Sequence, residues 1–345
     1  MAWLATAEHL TLINAMLTLA HVIVRGVVHV VLSTDRATRD PDADALVGKI
    51  RAGGQPPLSA LGVEGARAYL EERAAQGSPG PDVELVRDAT IPADERSIAV
   101  RVYRSASPEA LPIVVYLHGG GWVIGSITAS DAFCRRLARA AHCIVISVEY
   151  RLAPEHPFPA AVLDAEAAIL WAAEQSDLWR GDARRLIVLG DSAGANIGTV
   201  AVRWLVAAGR QVVARQILAY PGTRADRAPS AGPWGQEWPL TDNERAWFFE
   251  QYVPDDAMRT HPDVAPLLAD VSDLPPTTIL LGGCDPLADE GFAYAQHLWE
   301  SGVSVDLHLF SGQIHGFLTL DPAILPRAEE AVGLVANAIR AVGAR

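Results

Sequence analysis

The serine in Gly190-Asp191-Ser192-Ala193-Gly194 has a setting suited to covalent chemistry. A serine hydroxyl is a weak nucleophile until a neighbouring base takes its proton. The apolar run Leu186–Leu189 before the motif reads as a buried strand, and the Ala- and Val-rich stretch after it reads as a helix. A G-x-S-x-G sequence between strand and helix makes a sharp turn that presents the serine at the strand end. Gly190 and Gly194 leave room for the turn and for close helix–strand packing, and Asp191 belongs to the motif that shapes it. The serine backbone is expected in a sparsely populated conformation, at a cost of ~1–3 kcal/mol. The alternative is an incidental loop serine, and the strand-then-helix context favours the nucleophile.

Acyl transfer also needs donors for a developing oxyanion. His118-Gly119-Gly120-Gly121-Trp122 directly follows the apolar run Ile113–Leu117. Three glycines at a strand end let backbone N–H groups approach a ligand closely. A loop of this type supplies oxyanion donors, joined by the N–H of the residue after the nucleophile, here Ala193. Losing one such donor typically slows catalysis ~10²–10³-fold. A phosphate-binding reading finds no G-K-[ST] and no G-x-G-x-x-G to support it. His118 precedes the nucleophile, so it is assigned to loop shaping and not to proton transfer.

A base and an acid should follow the serine in the order acid, then histidine. The histidines beyond Ser192 are His261, His297, His308 and His315. His261 falls in an irregular segment, His297 in a helical pattern and His308 in a strand pattern. His315 lies in a loop just after that strand, where catalytic side chains belong in open α/β sheets. For the acid, Gly282-Gly283-Cys284-Asp285-Pro286 follows a strand-like run. Asp285 comes first after the strand, whereas Asp289 and Glu290 read as the opening of the next helix, favoured there by the helix dipole. Asp285 would orient the imidazole and stabilise its cation.

The elements that must carry these groups alternate. Strands are expected at Val83–Asp88, Ile98–Arg104, Ile113–Leu117, Cys143–Val148, Leu186–Leu189, Gln216–Tyr220, Thr278–Leu281 and Val303–Phe310. Helices are expected at Ser130–Ala141, Ala160–Gln175, Ala195–Ala208 and Asp289–Ser301. Such alternation implies a mostly parallel sheet covered by helices on both faces. The stretch from Gly222 to Pro262 breaks the rhythm with Trp234, Trp238, Trp247, Phe248, Phe249 and Tyr252 among polar residues and prolines. It reads as a helical insertion of the kind that forms lids. The domain plan is then 1–50 as the N-terminal part of a helical cap, 51–221 and 263–345 as the catalytic α/β domain, and 222–262 as the inserted cap segment.

At 345 residues and 50% hydrophobic, the chain can bury a large core. Its net charge of −13 argues against nucleic acid or an anionic membrane as the main partner. Cys134, Cys143 and Cys284 have no metal-ligand spacing and read as reduced thiols in a cytoplasmic protein. Leu10 to Leu32 approaches the length of a membrane span but carries Asn14, His21, Arg25 and His29. It reads as an amphipathic helix packed on the protein, with peripheral membrane contact as the alternative. No basic region precedes it and no cleavage site follows, so a secretory signal is not expected.

Together, His118–Trp122, Gly190–Gly194, Asp285-Pro286-Leu287 and His315-Gly316-Phe317 resemble the motifs of the hormone-sensitive lipase family of α/β-hydrolases, in its bacterial carboxylesterase branch. Tyr150-Arg-Leu-Ala-Pro-Glu-His-Pro-Phe-Pro159 and Asp289-Glu290-Gly291 with Ala293-Tyr294-Ala295 match as well. The resemblance covers roughly residues 80–345 and is weak in the first 50. It implies an α/β-hydrolase fold with an eight-stranded, mostly parallel sheet, a helical cap, and a triad of Ser192, Asp285 and His315. It also implies Gly120, Gly121 and Ala193 as oxyanion donors, with Gly119 shaping their loop, and no metal or organic cofactor. Ala195 stands where a third glycine is common, and Cys284 where a larger or acidic residue is frequent.

The expected activity is hydrolysis of a small-molecule ester through an acyl-enzyme; the resemblance implies short- to medium-chain acyl esters, while the apolar N-terminal helix leaves room for larger or membrane-derived substrates. Trp122 and the aromatic insertion suggest an apolar pocket, though packing alone would account for any single tryptophan. Amidase, deacetylase, lactonase or peptidase action on the same triad is the alternative chemistry. A ligand receptor, as in the plant gibberellin receptors that resemble this family but lack the histidine, is disfavoured by His315. The last strand, Val303–Phe310, and the C-terminal helix would lie at a sheet edge, and edges invite pairing; a homodimer is what the resemblance implies.

Overall fold

The computed structural model describes residues 38–93, 96–226 and 233–343. The Leu10–Leu32 segment lies outside the described residues. Eight strands form one sheet in the order β1-β2-β4-β3-β5-β6-β7-β8. They are β1 (Leu85–Ala93), β2 (Arg96–Arg104), β3 (Leu111–Leu117), β4 (Ile144–Val148), β5 (Gly181–Asp191), β6 (Arg215–Ala219), β7 (Thr277–Cys284) and β8 (Val305–Ile314). The β1–β2 and β2–β4 pairs are antiparallel, and the remaining pairs are parallel. The central strands read as unbroken apolar runs because both faces are covered. Ile113, Val115 and Leu117 of β3 enter one core, and Val114 and Tyr116 enter the other.

The helices divide between the faces accordingly. In chain order they are α1 (Pro41–Ala52), α2 (Leu58–Gln76), α3 (Ile127–Ala141), α4 (Ala160–Glu174), α5 (Ala193–Ala207), α6 (Asp242–Tyr252), α7 (Ala288–Glu300) and α8 (Arg327–Arg340). Residues of α4, α5 and α7 fill the core that contains Ile113, whereas α3 and α8, with Leu46 and Val47 of α1, fill the core around Tyr116. Among the described residues, the eight expected strands and the four helices expected between them are present. β1 starts two residues later than its apolar pattern suggested and runs on to Ala93, because antiparallel pairing with β2 continues out to Ala93↔Arg96.

Local signals account for several helix ends. Ser126 caps α3 by accepting from Ala129 N–H at 2.9 Å, and the Glu149 carboxylate accepts from Ile127 N–H at 2.7 Å. Thr241 and Glu244 form a reciprocal capping box on α6. Glu244 Oε1 also accepts from Leu58 N–H at 3.1 Å, so one buried carboxylate starts α2 as well as α6. α2 packs on α3 and α6 and kinks at Gly62, whose φ is +68°. Among the described residues, no helix is long and apolar enough to cross a membrane.

Candidate active site

Parallel register brings the chemically able residues to the carboxyl ends of neighbouring strands. β5 pairs Asp191 with Ala219 of β6, and Leu117 of β3 pairs with Gly190. Ser192 therefore emerges beside the glycine turn that follows β3. Its φ of +55° with ψ of −117° is the strained turn expected from the motif. Ser192 N–H donates to Ala219 C=O at 2.9 Å, which pins the turn to the next strand. A methyl group on Gly194 would collide with the carbonyl oxygens of Leu117 and His118, and one on Gly190 with the Gly194 carbonyl. This crossing of backbones requires glycine at both positions.

β8 continues to Ile314, four residues beyond the apolar pattern, and after an irregularity at Gly282/Cys284 it pairs Ile314 with Cys284 of β7. The next residue on each strand is Asp285 or His315, so the two leave the sheet side by side. Asp285 Oδ2 lies 2.8 Å from His315 Nδ1, and His315 Nε2 lies 2.9 Å from Ser192 Oγ. Asp285 Oδ1 accepts from Leu287 N–H at 2.8 Å, which fixes the carboxylate plane. The Asp285 side chain is fully buried and that of His315 only 11% exposed. The Tyr220 ring meets the imidazole edge-on at 4.9 Å.

The glycine turn is held from below. Asp191 Oδ1 accepts from Gly119 N–H at 2.8 Å and from the Tyr116 hydroxyl at 2.7 Å. Gly119 N–H is thus occupied. Among the described residues, the N–H groups of Gly120 and Gly121 donate to no backbone carbonyl. Ala193, the first residue of α5, has no helical carbonyl ahead of it for its own N–H. Gly120 (φ +123°), Gly121 (φ +58°) and Trp122 (φ +62°) all adopt positive φ as the turn closes with Val123 and Ile124 N–H donating to Gly120 C=O.

His118 is buried beneath this turn, stacked on the Tyr150 ring at 4.3 Å, with Nδ1 2.8 Å from Gly119 C=O. The Tyr150 hydroxyl donates to His118 C=O at 2.6 Å. Burial pushes the His118 imidazole down to about 4, so it is neutral at pH 7. Trp122 stacks on Tyr252 at 4.7 Å and against Phe249 at 4.8 Å. Phe248 of α6 covers Gly121 so closely that a methyl there would strike its ring. Among the described residues, a cavity of about 890 Å³ opens over Ser192 and His315, bounded in part by Gly120, Phe248, Arg245 and Glu290.

A model of the α/β hydrolase fold matches residues 114–319. The chain belongs to the α/β-hydrolases. Among curated relatives, this hydrolase is 36% identical over 313 residues to an ethyl acetate hydrolase of Pseudomonas putida, covering 87% of this chain and 98% of the relative. It is 38% identical over 296 residues to the carboxylic ester hydrolase LipN of Mycobacterium tuberculosis, covering 83% of this chain and 78% of the relative. Among solved structures, a hyperthermophilic esterase from the archaeon Pyrobaculum calidifontis superposes with a TM-score of 0.81 at 36% identity, covering 88% of this chain and 98% of that one. Together with the motifs, these relatives put the hydrolase in the hormone-sensitive-lipase-like carboxylesterase branch.

The structure adds residues that pattern reading passed over. Glu290 does open α7, but its carboxylate is buried. It accepts from Thr223 N–H at 2.6 Å and Arg224 N–H at 3.2 Å, and pairs with Arg245 at 3.0 Å. Burial pushes it up to about 7 against those favourable partners. Buried Asn196, one turn into α5, donates to Gly222 C=O at 2.9 Å and Val264 C=O at 3.0 Å, fixing the loop after β6. For Glu244 a signal did exist in the Thr241-x-x-Glu244 capping pattern. For Glu290 the Asp289-Glu290-Gly291 match marked the residue but not its partners, and for Asn196 no signal did, because its partners are main-chain groups remote in sequence.

Proposed function

We propose that this hydrolase is a serine carboxylesterase that cleaves short- to medium-chain acyl esters through a covalent acyl-enzyme. The observation that carries the reading is the 2.9 Å approach of His315 Nε2 to Ser192 Oγ, with Asp285 on the other ring nitrogen. His315 takes the Ser192 proton as Oγ attacks the ester carbonyl. N–H groups of Gly120, Gly121 and Ala193 bind the oxyanion, and His315 then protonates the departing alkoxide. Water, activated by the same imidazole, attacks the acyl carbonyl and returns the free serine. Asp285 holds the imidazole tautomer and stabilises its cation. No step calls on a metal or organic cofactor.

Residues 1–50 and 222–262 act as the cap that selects substrate, over a catalytic domain made of 51–221 and 263–345. The aromatic cap segment, with Phe248 and Phe249 at the cavity, favours apolar acyl groups. The burial of all three cysteine side chains, Cys134, Cys143 and Cys284, is in keeping with a cytoplasmic setting. β8 is the last strand of the sheet, its end near Gly312 bonded by Asp40, and its edge is the place for pairing with a second copy, an association that light scattering measures.

Hydrolysis of a p-nitrophenyl ester series, from acetate to palmitate, tests the assignment. Turnover is expected to peak at short or medium chains and to vanish in Ser192→Ala with its fold retained. Wild-type turnover in purified Ser192→Ala would overturn the assignment.

A further inference from the structure

Outside the triad, the oxyanion turn is hydrogen-bonded to the helical layer through α2. Arg67, in the middle of α2, reaches two separate loops. Its Nε donates to Val123 C=O at 2.9 Å, and its Nη2 donates to Ala153 C=O at 2.9 Å. Nη1 and Nη2 also grip the Glu155 carboxylate at 2.8 and 2.7 Å. The carbonyl of Val123 belongs to the residue whose own N–H closes the turn onto Gly120 C=O at 3.1 Å. Ala153 N–H donates in turn to Trp122 C=O at 2.9 Å. The guanidinium thus completes a ring of bonds through Gly120, Trp122, Val123 and Ala153. Only a planar fork can bind two carbonyls and a carboxylate at fixed angles.

The demand for such a fastener follows from the turn itself. Gly120, Gly121 and Trp122 all sit at positive φ, a run with low intrinsic preference. Their N–H groups can stabilise an oxyanion only if held in place before the reaction. Asp191 holds the Gly119 end of the turn, whereas the Val123 end receives its side-chain bond from Arg67. Glu155 is itself half-exposed, and its carboxyl is drawn down to about 2 by Arg67, so the pair stays charged throughout the working pH range.

We propose that Arg67 is a positioning residue that sets the Gly120–Gly121 N–H geometry, with Glu155 serving to aim its guanidinium. The proposal rests on the esterase reading above. It separates two tasks: the carbonyl bonds tune the rate, and the carboxylate pair supports the orientation.

Three variants test it, with each rate expressed per active site titrated by a fluorophosphonate, and with thermal unfolding recorded alongside. A wild-type enzyme that neither hydrolyses p-nitrophenyl butyrate nor labels at Ser192 would fail the esterase reading itself, and the proposal would fall with it. Given an active wild type, Arg67→Met should lower kcat by roughly 10- to 100-fold with KM changed less than about threefold, as expected for a slightly misplaced transition-state contact. Arg67→Lys, which keeps the charge but not the fork, should fall nearly as far. Glu155→Gln, which keeps one oxygen for the guanidinium but loses the bidentate charged pair, should lower kcat by roughly three- to tenfold, less than either Arg67 variant. Phosphonylation of Ser192, which places an oxygen in the same donor site, should slow in parallel in the Arg67 variants. Overturning results are an unchanged kcat per titrated site in Arg67→Met, full activity in Arg67→Lys, or a loss confined to the number of titratable sites or to KM.

Discussion

Asp191 and Gly119 are bonded across the sheet end: the carboxylate one residue before the nucleophile accepts the N–H of the first glycine in the oxyanion turn, at 2.8 Å. The elbow and the turn are therefore one unit, with Tyr116 as its third member. Asp191 is buried, and burial alone pushes its carboxyl up, while the bonds from Tyr116 and Gly119 favour the ionised form. Asp191→Ala should strand two donors, the buried Tyr116 hydroxyl and the half-buried Gly119 N–H. The expected loss is about 2–6 kcal/mol, at 1–3 per unsatisfied group. Thermal unfolding should report a midpoint lower by several degrees, and kcat should fall with it. Asp191→Asn, which can still accept both bonds, should lose much less.

Asp285→Asn removes the charge that stabilises the imidazolium and allows the amide to impose the wrong tautomer on His315. The fold should persist, because the Asn oxygen can still accept from Leu287 N–H. Loss of kcat by ~10³–10⁴-fold with little change in KM is expected. Steady-state kinetics with a p-nitrophenyl ester checks this, and a loss under tenfold would contradict the role assigned to Asp285.

Gly121→Ala should be nearly inactive for a reason that a second substitution can isolate. The added methyl would strike the Phe248 ring, and φ of +58° adds a further ~1–2 kcal/mol of backbone cost. The double variant Gly121→Ala/Phe248→Ala should recover part of the activity, because only the steric share is relieved. Comparing kcat of the single and double variants measures that share; no recovery at all would place the whole effect in the backbone.

Glu290 gives the stability a pH dependence of definite sign. In the native protein it holds its proton up to about 7, against an ordinary value of 4.5. Between those values the folded state binds more protons than the unfolded chain, so this group's contribution is fully present below about 4.5 and is lost as pH rises through about 7. Arg245 pairs with its carboxylate at 3.0 Å, and Arg224 N–H donates to it at 3.2 Å. Denaturant unfolding from pH 5 to 8 should show wild-type stability falling relative to Glu290→Gln by a few kcal/mol at most. Parallel curves for the two proteins would refute the assignment.

The parts of the site visible in the sequence are those written locally. Ser192 announces itself because both glycines, the strand and the helix fall within one short stretch. Asp285 and His315 were nominated by chain order and by their positions after strands, and the structure brings both to Ser192. Their meeting depends on the Cys284↔Ile314 pairing beyond an irregular register, which no hydropathy pattern encodes. The apolar runs marked the strand centres, but not the ends of β5 and β8, where Gly190, Asp191, Gly312 and Gln313 extend the strands without continuing the apolar pattern. Arg67 stayed hidden because its partners, Val123 C=O and Ala153 C=O, are main-chain atoms 56 and 86 residues away. An arginine on a helix otherwise reads as solvated surface.

The closeness of Phe248 to Gly121 makes α6 and the oxyanion turn thermodynamically linked partners. Linkage is reciprocal: whatever free energy a well-placed α6 contributes to oxyanion binding, an occupied oxyanion site returns to the seating of α6. A phosphonate adduct at Ser192 should then protect the 233–262 segment from proteolysis and from amide exchange, although the adduct is made with the sheet end and not with that segment. The enzyme would sense the charge of its reacting carbonyl through the same helix that helps to choose its substrate.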